Sequence, residues 1–205
     1  LSQGAKGFDL DLVSEVMTYN ASQGKPAYAA IINRLDRPVS GLVLIAKNKS
    51  AAAKYSTLMQ KEGGFNKQYE ALICGKLSEL KGTFVDYLKK DGRTNTSAIV
   101  PADAAANDKE AKLSKLEYEV ISYDEVKDIT HVRIHLITGR HHQIRVQFAS
   151  RRHPLVGDYK YATAYCGMDN AVKAVALKRN QIALCAVSLT IDNKTFSVTP
   201  DFVIN

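Results

Sequence analysis

The chain has 205 residues, 45% hydrophobic and 24% charged, which suits one globular domain or two small ones and excludes a disordered or low-complexity protein. Its 28 Lys+Arg against 21 Asp+Glu give a formal charge of +7, favouring a polyanionic partner because counterions released from neutralised phosphates reward binding. The apolar runs are far too short to cross a bilayer as a helix, and Cys74, Cys166 and Cys185 form no C-x-x-C pair; zinc-ribbon and redox-dithiol readings therefore fall away, and free thiols in a reducing cytoplasm are expected.

Leu12, Val13, Val16 and Met17 recur at helical spacing and predict a helix over residues 11–19. A basic loop, residues 33–38, then runs into an unbroken apolar stretch, 41–46, that reads as a buried strand. Ser50 is placed to N-cap a helix through about residue 61 that turns Leu58 and Met59 inward and ends at Gly63-Gly64. Strands are predicted over 68–73 and 82–88, either side of a short turn at 76–81. Residues 91–108 are polar and rich in turn formers and predict a mobile surface loop. A further strand pair is predicted at 116–123 and 130–137; in the second strand Val132, Ile134 and Leu136 share one face and His131, Arg133 and His135 the other. A helix over about 141–150 and strands near 182–190 and 195–198 complete the chain. Locally paired strands with few helices between them predict an α+β fold over a doubly wound one.

Two segments concentrate chemistry. In the first, Asp36 lies between Arg34 and Arg37, and nearby positive charge favours the ionised carboxylate. Pro38 stiffens the loop and Ser40-Gly41 lets the chain turn into the following strand. Such a carboxylate suits a nucleophile or base beside an anionic ligand, although a loop salt bridge or a turn-capping Asp has the same composition. In the second, Thr138-Gly-Arg-His-His-Gln-Ile-Arg145 sets donors at a predicted strand-to-helix junction, where unpaired helix N–H groups and a bidentate Arg140 would hold a phosphate. An exposed basic helix start with no ligand is the plainer alternative. His131, His135, His141, His142 and His153 raise a metal site as a rival, but no Cys or carboxylate completes a tetrahedral set at the usual spacing. Phosphate is therefore the expected ligand, and no metal.

The run N-R-L-D-R-P-V-S-G-L-V-L-I-A-K from Asn33 to Lys47 resembles the H-R-L-D-x-x-T-S-G-L-L-L-x-A-K signature of pseudouridine synthases, in the branch that modifies large-subunit ribosomal RNA and some transfer RNAs. Asn33 stands where His is usual and Val39 where Thr is usual. T-G-R-H-H-Q-I-R-V-Q-F-A from Thr138 to Ala149, followed by H-P-L-V-G-D-Y-K-Y from His153 to Tyr161, is similar to the family's T-G-R-x-H-Q-I-R-V-H-L-A and H-P-I-x-G-D-x-x-Y blocks. Lys67-Gln-Tyr-Glu-Ala-Leu-Ile-Cys-Gly75 resembles its K-x-Y-x-A-x-x-x-G strand.

The resemblance implies the pseudouridine synthase fold: one α+β catalytic domain, residues 1–205, around a mixed, largely antiparallel sheet with a central cleft, beginning just after the family's usual first strand. It implies Asp36 as the essential carboxylate, Arg145 as its ion-pair partner and Tyr69 as the group that removes the C5 proton. It further implies RNA contacts from Arg34, Arg37, Lys67, Arg140 and His142, with a monomeric protein acting on ribosomal or transfer RNA in the cytoplasm. No cofactor is required, because isomerising uridine exchanges bonds without net oxidation. Two other readings stay open. One is a catalytically silent RNA-binding module of the same fold. The other is an RNA glycosidase, which would need a second carboxylate that neither segment clearly supplies.

Overall fold

The computed structural model of the protein describes residues 11–61, 64–167 and 181–202. Helix α1 (Leu12–Ser22) starts where the carboxylate of Asp11 accepts a hydrogen bond from the Ser14 N–H, satisfying one of the free donors of its first turn. The expected strand over 41–46 is instead divided. Ser40–Gly41 (β2) joins one sheet, Ile45–Ala46 (β3) pairs antiparallel with Ala30–Ile31 (β1) in another, and the chain crosses between them. The cap of helix α2 (Lys49–Gln60) lies two residues before the predicted one: the side chain of Asn48, not Ser50, accepts from the Ala51 N–H. Leu58 and Met59 do pack inward, against Phe65, Leu189 and Ile191. Gly63 and residues 1–10 lie outside the described residues.

The main sheet is built from β4 (Asn66–Cys74), β5 (Lys81–Asp91), β6 (Thr96–Val100), β7 (Lys112–Asp124), β8 (Ile129–Leu136), β9 (Leu184–Ile191) and β10 (Lys194–Ser197), with β2 added. Its order is β10-β9-β4-β8-β7-β5-β6, antiparallel throughout, while β2 lies parallel to β9. This is the mixed, largely antiparallel sheet that the motifs imply. The expected neighbours over 68–73 and 82–88 correspond to β4 and β5, yet β8 and β7 come between them. The stretch expected to be a mobile loop holds strand β6, hydrogen-bonded to β5, and a single-turn helix, α3 (Ala102–Ala105). Its turn formers sit at the hairpin tip, where Asp91 accepts from the N–H groups of Arg93 and Thr94.

Alternation along β8 divides the sheet faces as expected. Val132 and Ile134 are fully buried with Leu116, Phe148 and Leu155 in the main core. On the other face His131 and Arg133 meet the carboxylate of Glu70 across the strand pair, at 3.1 and 3.0 Å, and His135 lies 3.3 Å from Glu117. Helix α4 (Gln143–Ala149) lies on the core face and is fully buried along its length, two residues shorter at its start than predicted. Helix α5 (Tyr159–Cys166) follows it and packs alongside.

Candidate active site

The loop carrying Asp36 is pinned at both ends. Asn33 donates through Nδ2 to the Leu42 carbonyl at 3.1 Å, and its Oδ1 accepts from the Leu44 N–H at 2.6 Å, closing the loop across its base. Leu35 and Val39 pack onto the main core on either side of Asp36, so the apolar Val39 serves as an anchor. Beyond it Gly41 adopts φ +117, and a Cβ there would come within 2.4 Å of the Ala186 backbone. Only glycine lets β2 lie this close to β9. The Ile182 N–H also bonds the Pro38 carbonyl at 3.1 Å.

Asp36 therefore faces a cleft of about 390 Å³, within the size range of small-ligand sites. Arg34, Lys67, Tyr69, Arg140, His142 and Arg145 share that lining; Arg37 does not, and its side chain is exposed. The guanidinium that meets Asp36 comes from α4: Arg145 Nη1 lies 3.3 Å from Asp36 Oδ2. Arg145 is aimed by Asp158, only 1% exposed, whose two oxygens accept from its Nε at 2.6 Å and its Nη2 at 2.8 Å. Burial disfavours the charge on Arg145, but the hydrogen bond and the charge of Asp158, with Asp36 behind it, outweigh that and hold the guanidinium more basic than usual. The guanidinium also lies 5.0 Å over the Tyr161 ring.

Tyr69 reaches the cleft from β4 at the point where its pairing with β9 slips, Gln68 opposing Ser188 and Tyr69 opposing Ala186, which leaves Val187 extra. Such bulges re-aim side chains. Burial, with the nearby charge of Asp36, pushes the Tyr69 hydroxyl up to about 12, so it is a neutral phenol near neutral pH. Lys67, on the same strand, is held below the ordinary lysine value by burial and then by Arg140.

The Thr138–Arg145 segment is organised by a side chain that the sequence reading left without a role. Gln143 accepts through Oε1 from Thr138 Oγ1 at 2.8 Å and from the Arg140 N–H at 3.0 Å, and donates through Nε2 to the Lys115 carbonyl and to Gln147. The Arg140 backbone N–H, three residues before the helix, is thus already committed. Arg140 Nε likewise bonds the Leu113 carbonyl at 2.9 Å. His142 is backed by Tyr161, and burial and Arg145 hold it neutral, its imidazole pushed down to about 3. Asp158 and Tyr161 both belong to the 153–161 block, whose sequence pattern alone gives neither a role. Lys90, at the end of β5, joins the cleft unannounced by any motif. Among the described residues no three His, Cys, Asp or Glu side chains gather as a metal site would require.

Solved structures share this architecture: human RNA pseudouridylate synthase domain containing 1 matches 85% of this chain and 69% of its own at TM-score 0.65 and 25% identity. Human RNA pseudouridylate synthase domain containing 4 shares the fold at TM-score 0.69 and 17% identity, over 92% of this chain and 77% of that one. The model of the RNA pseudouridylate synthase family matches residues 3–150, and the chain belongs to that family. Among curated relatives, ribosomal large subunit pseudouridine synthase D of Blochmanniella floridana is 36% identical over 65% of this chain and 38% of its own length. Uncharacterized RNA pseudouridine synthase YjbO of Bacillus subtilis is 30% identical over 73% of this chain and 50% of its own. The chain thus spans half or less of the length of these relatives.

Proposed function

We propose that the protein isomerises uridine to pseudouridine in RNA, with Asp36 as the residue on which the chemistry turns. The observation that carries this reading is convergence: Asp36, Tyr69 and Arg145 come from three distant segments to line one cleft, with Arg145 in salt-bridge reach of the carboxylate. A uridine flipped from its stack at a cost of a few kcal/mol enters the cleft, while Arg34, Lys67 and Arg140 at its rim offer phosphate contacts that offset the flipping. Asp36 promotes cleavage of the N1–C1′ glycosidic bond, the uracil turns, C5 bonds to C1′, and the proton lost from C5 is balanced by one taken up at N1. As a neutral phenol, Tyr69 takes that proton only by passing its own onward, so it acts as a relay and not as a tyrosinate. The names of the relatives favour large-subunit ribosomal RNA as the substrate.

A glycosidase would need a second carboxylate able to act as acid or base. Asp158 is buried, and both its oxygens are held by Arg145, so it does not serve. The test is Asp36→Asn, which keeps shape while removing charge and nucleophilicity. Incubated with total RNA from cells lacking the gene, the wild-type chain should form pseudouridine at defined ribosomal positions. Asp36→Asn should form none, yet bind RNA within about tenfold, roughly 1.4 kcal/mol. Released uracil from the wild type would indicate a glycosidase, RNA binding without turnover would indicate a silent module, and full activity in Asp36→Asn would sink the mechanism.

A further inference from the structure

His142 caps α4 in a left-handed backbone, φ 53 and ψ 24, a conformation that is costly for a residue other than glycine. The strained backbone sets its ring between Tyr161 and Asp36: Nδ1 lies 2.7 Å from the Tyr161 hydroxyl and Nε2 lies 3.5 Å from Asp36 Oδ2. The same hydroxyl accepts from the Ser97 N–H of β6 at 2.9 Å. A backbone N–H can only donate, so the phenol oxygen receives that bond and has a single proton of its own to place. Given to Nδ1, it satisfies the phenol and leaves the ring proton on Nε2, the nitrogen 3.5 Å from a carboxylate oxygen. In the opposite tautomer the phenol proton has no acceptor among the described residues, and the Nε2 lone pair faces Asp36. Burial pushes the Tyr161 hydroxyl up to about 12, which keeps that proton in place to be donated.

Two donors then converge on one oxygen, Arg145 Nη1 and His142 Nε2 both addressing Oδ2. Asp36 Oδ1 makes no hydrogen bond to a described residue. We infer that Tyr161 and His142 are positioning residues that hold Asp36 by Oδ2, so that Oδ1 is the oxygen presented to the uridine. Arg145 makes a hydrogen bond at 3.3 Å, whereas His142 Nε2, at 3.5 Å, stands in electrostatic reach of the same oxygen, and such contacts often tighten only when substrate closes the site. The tautomer makes the relay directional: Ser97 N–H to Tyr161, Tyr161 O–H to His142, His142 N–H to Asp36. The presentation of Oδ1 to substrate rests on the proposed isomerase activity, whereas the tautomer does not.

The experiment is ring-nitrogen NMR on chain with ¹⁵N-labelled histidine, the His142 signals identified by their loss in His142→Gln. The wild type should show His142 protonated on Nε2 and bare on Nδ1, and Tyr161→Phe should move the proton wholly or partly to Nδ1. In turnover assays Tyr161→Phe should lower kcat about tenfold, a modest loss for one long electrostatic contact, with KM held within about twofold. His142→Gln, whose amide nitrogen falls near the Nε2 position, should retain more kcat than His142→Asn, whose amide falls near Nδ1. Wild-type His142 protonated on Nδ1 overturns the relay, as does a Tyr161→Phe tautomer identical to wild type or equal kcat in the Gln and Asn variants. Should Tyr161→Phe not fold, the wild-type spectrum and the Gln/Asn pair decide alone. A wild type with the expected tautomer that forms no pseudouridine overturns the proposed function while leaving the relay standing.

Discussion

Arg34 and Arg37 lie within two residues of Asp36, whereas Arg145 is 109 residues away in the chain. On the sequence the near pair is the obvious electrostatic partner of the carboxylate. In the folded protein Arg34 and Arg37 are exposed and make no ion pair with Asp36, and the distant arginine, buried and oriented by Asp158, meets it. Proximity along a loop places charge in water, where screening and side-chain freedom leave it worth little. Burial together with a bidentate carboxylate fixes where the charge points. The two regions accordingly suit different work: exposed arginines for gripping a polyanion, the sealed one for holding geometry.

Asp158→Asn should break that contrast most severely. It strands a buried guanidinium, and one-sided loss of a buried pair typically costs about 3–5 kcal/mol, readable in chemical denaturation. With Arg145 no longer aimed, turnover should fall about a hundredfold or more. Retention of both stability and rate would mean that the buried pair positions nothing.

pH should reach the buried groups next. His142 is neutral down to about pH 3 in the fold, against about 6.5 for a free imidazole, so below 6.5 the unfolded chain takes up its proton first. Its contribution is complete above 6.5 and drains as pH falls toward 3, with a slope of up to about 1.4 kcal/mol per pH unit. Tyr69 has the opposite sign. Its hydroxyl is raised from about 10 to about 12, so its contribution is intact below pH 10 and is lost between 10 and 12. Denaturation across pH should show both edges, and His142→Gln should flatten the acid one; an unchanged acid slope would remove His142 from the account.

The exposed arginines should register in salt and not in stability. Arg140→Ala should flatten the dependence of log K on log salt by about one unit if its terminal nitrogens meet a phosphate. Arg37→Ala, outside the cleft, should shift folding stability by no more than about 0.5 kcal/mol and leave kcat unchanged, the smallest effect of the set. A large loss of kcat in Arg37→Ala would restore the near pair as partners of the chemistry.

Motif spacing made Asp36, Tyr69 and Arg145 readable, because each sits in a run whose neighbours fix a loop, a strand or a helix. It also named Lys67, Arg140, His142 and Arg34, all of which line the cleft, and Arg37, which does not. Asp158 was recoverable in physical terms, since an arginine on a buried helix needs a carboxylate and the 153–161 block contains one. Strand periodicity found β4, β5, β7 and β8, but not that β8 and β7 separate β4 from β5. Antiparallel partners distant in sequence leave no local trace, whereas a short turn suggests a hairpin. β6 escaped because five residues beside a turn-rich tip offer too little alternation to separate strand from loop.

The fastening of the Asp36 loop to β9 has a consequence in time. Ser40 and Gly41 pair with Cys185 and Ala186, and Pro38 with Ile182, so the loop closes on a strand made about 145 residues later. Tyr69 waits on the same strand, because β4 lies between β8 and β9. Contacts so remote in sequence form late and slowly. During synthesis the carboxylate leaves the ribosome before its fastening strand does, and its loop stays unassembled until residues 182–186 emerge. The growing chain therefore carries an unfastened Asp36 loop until that strand is made.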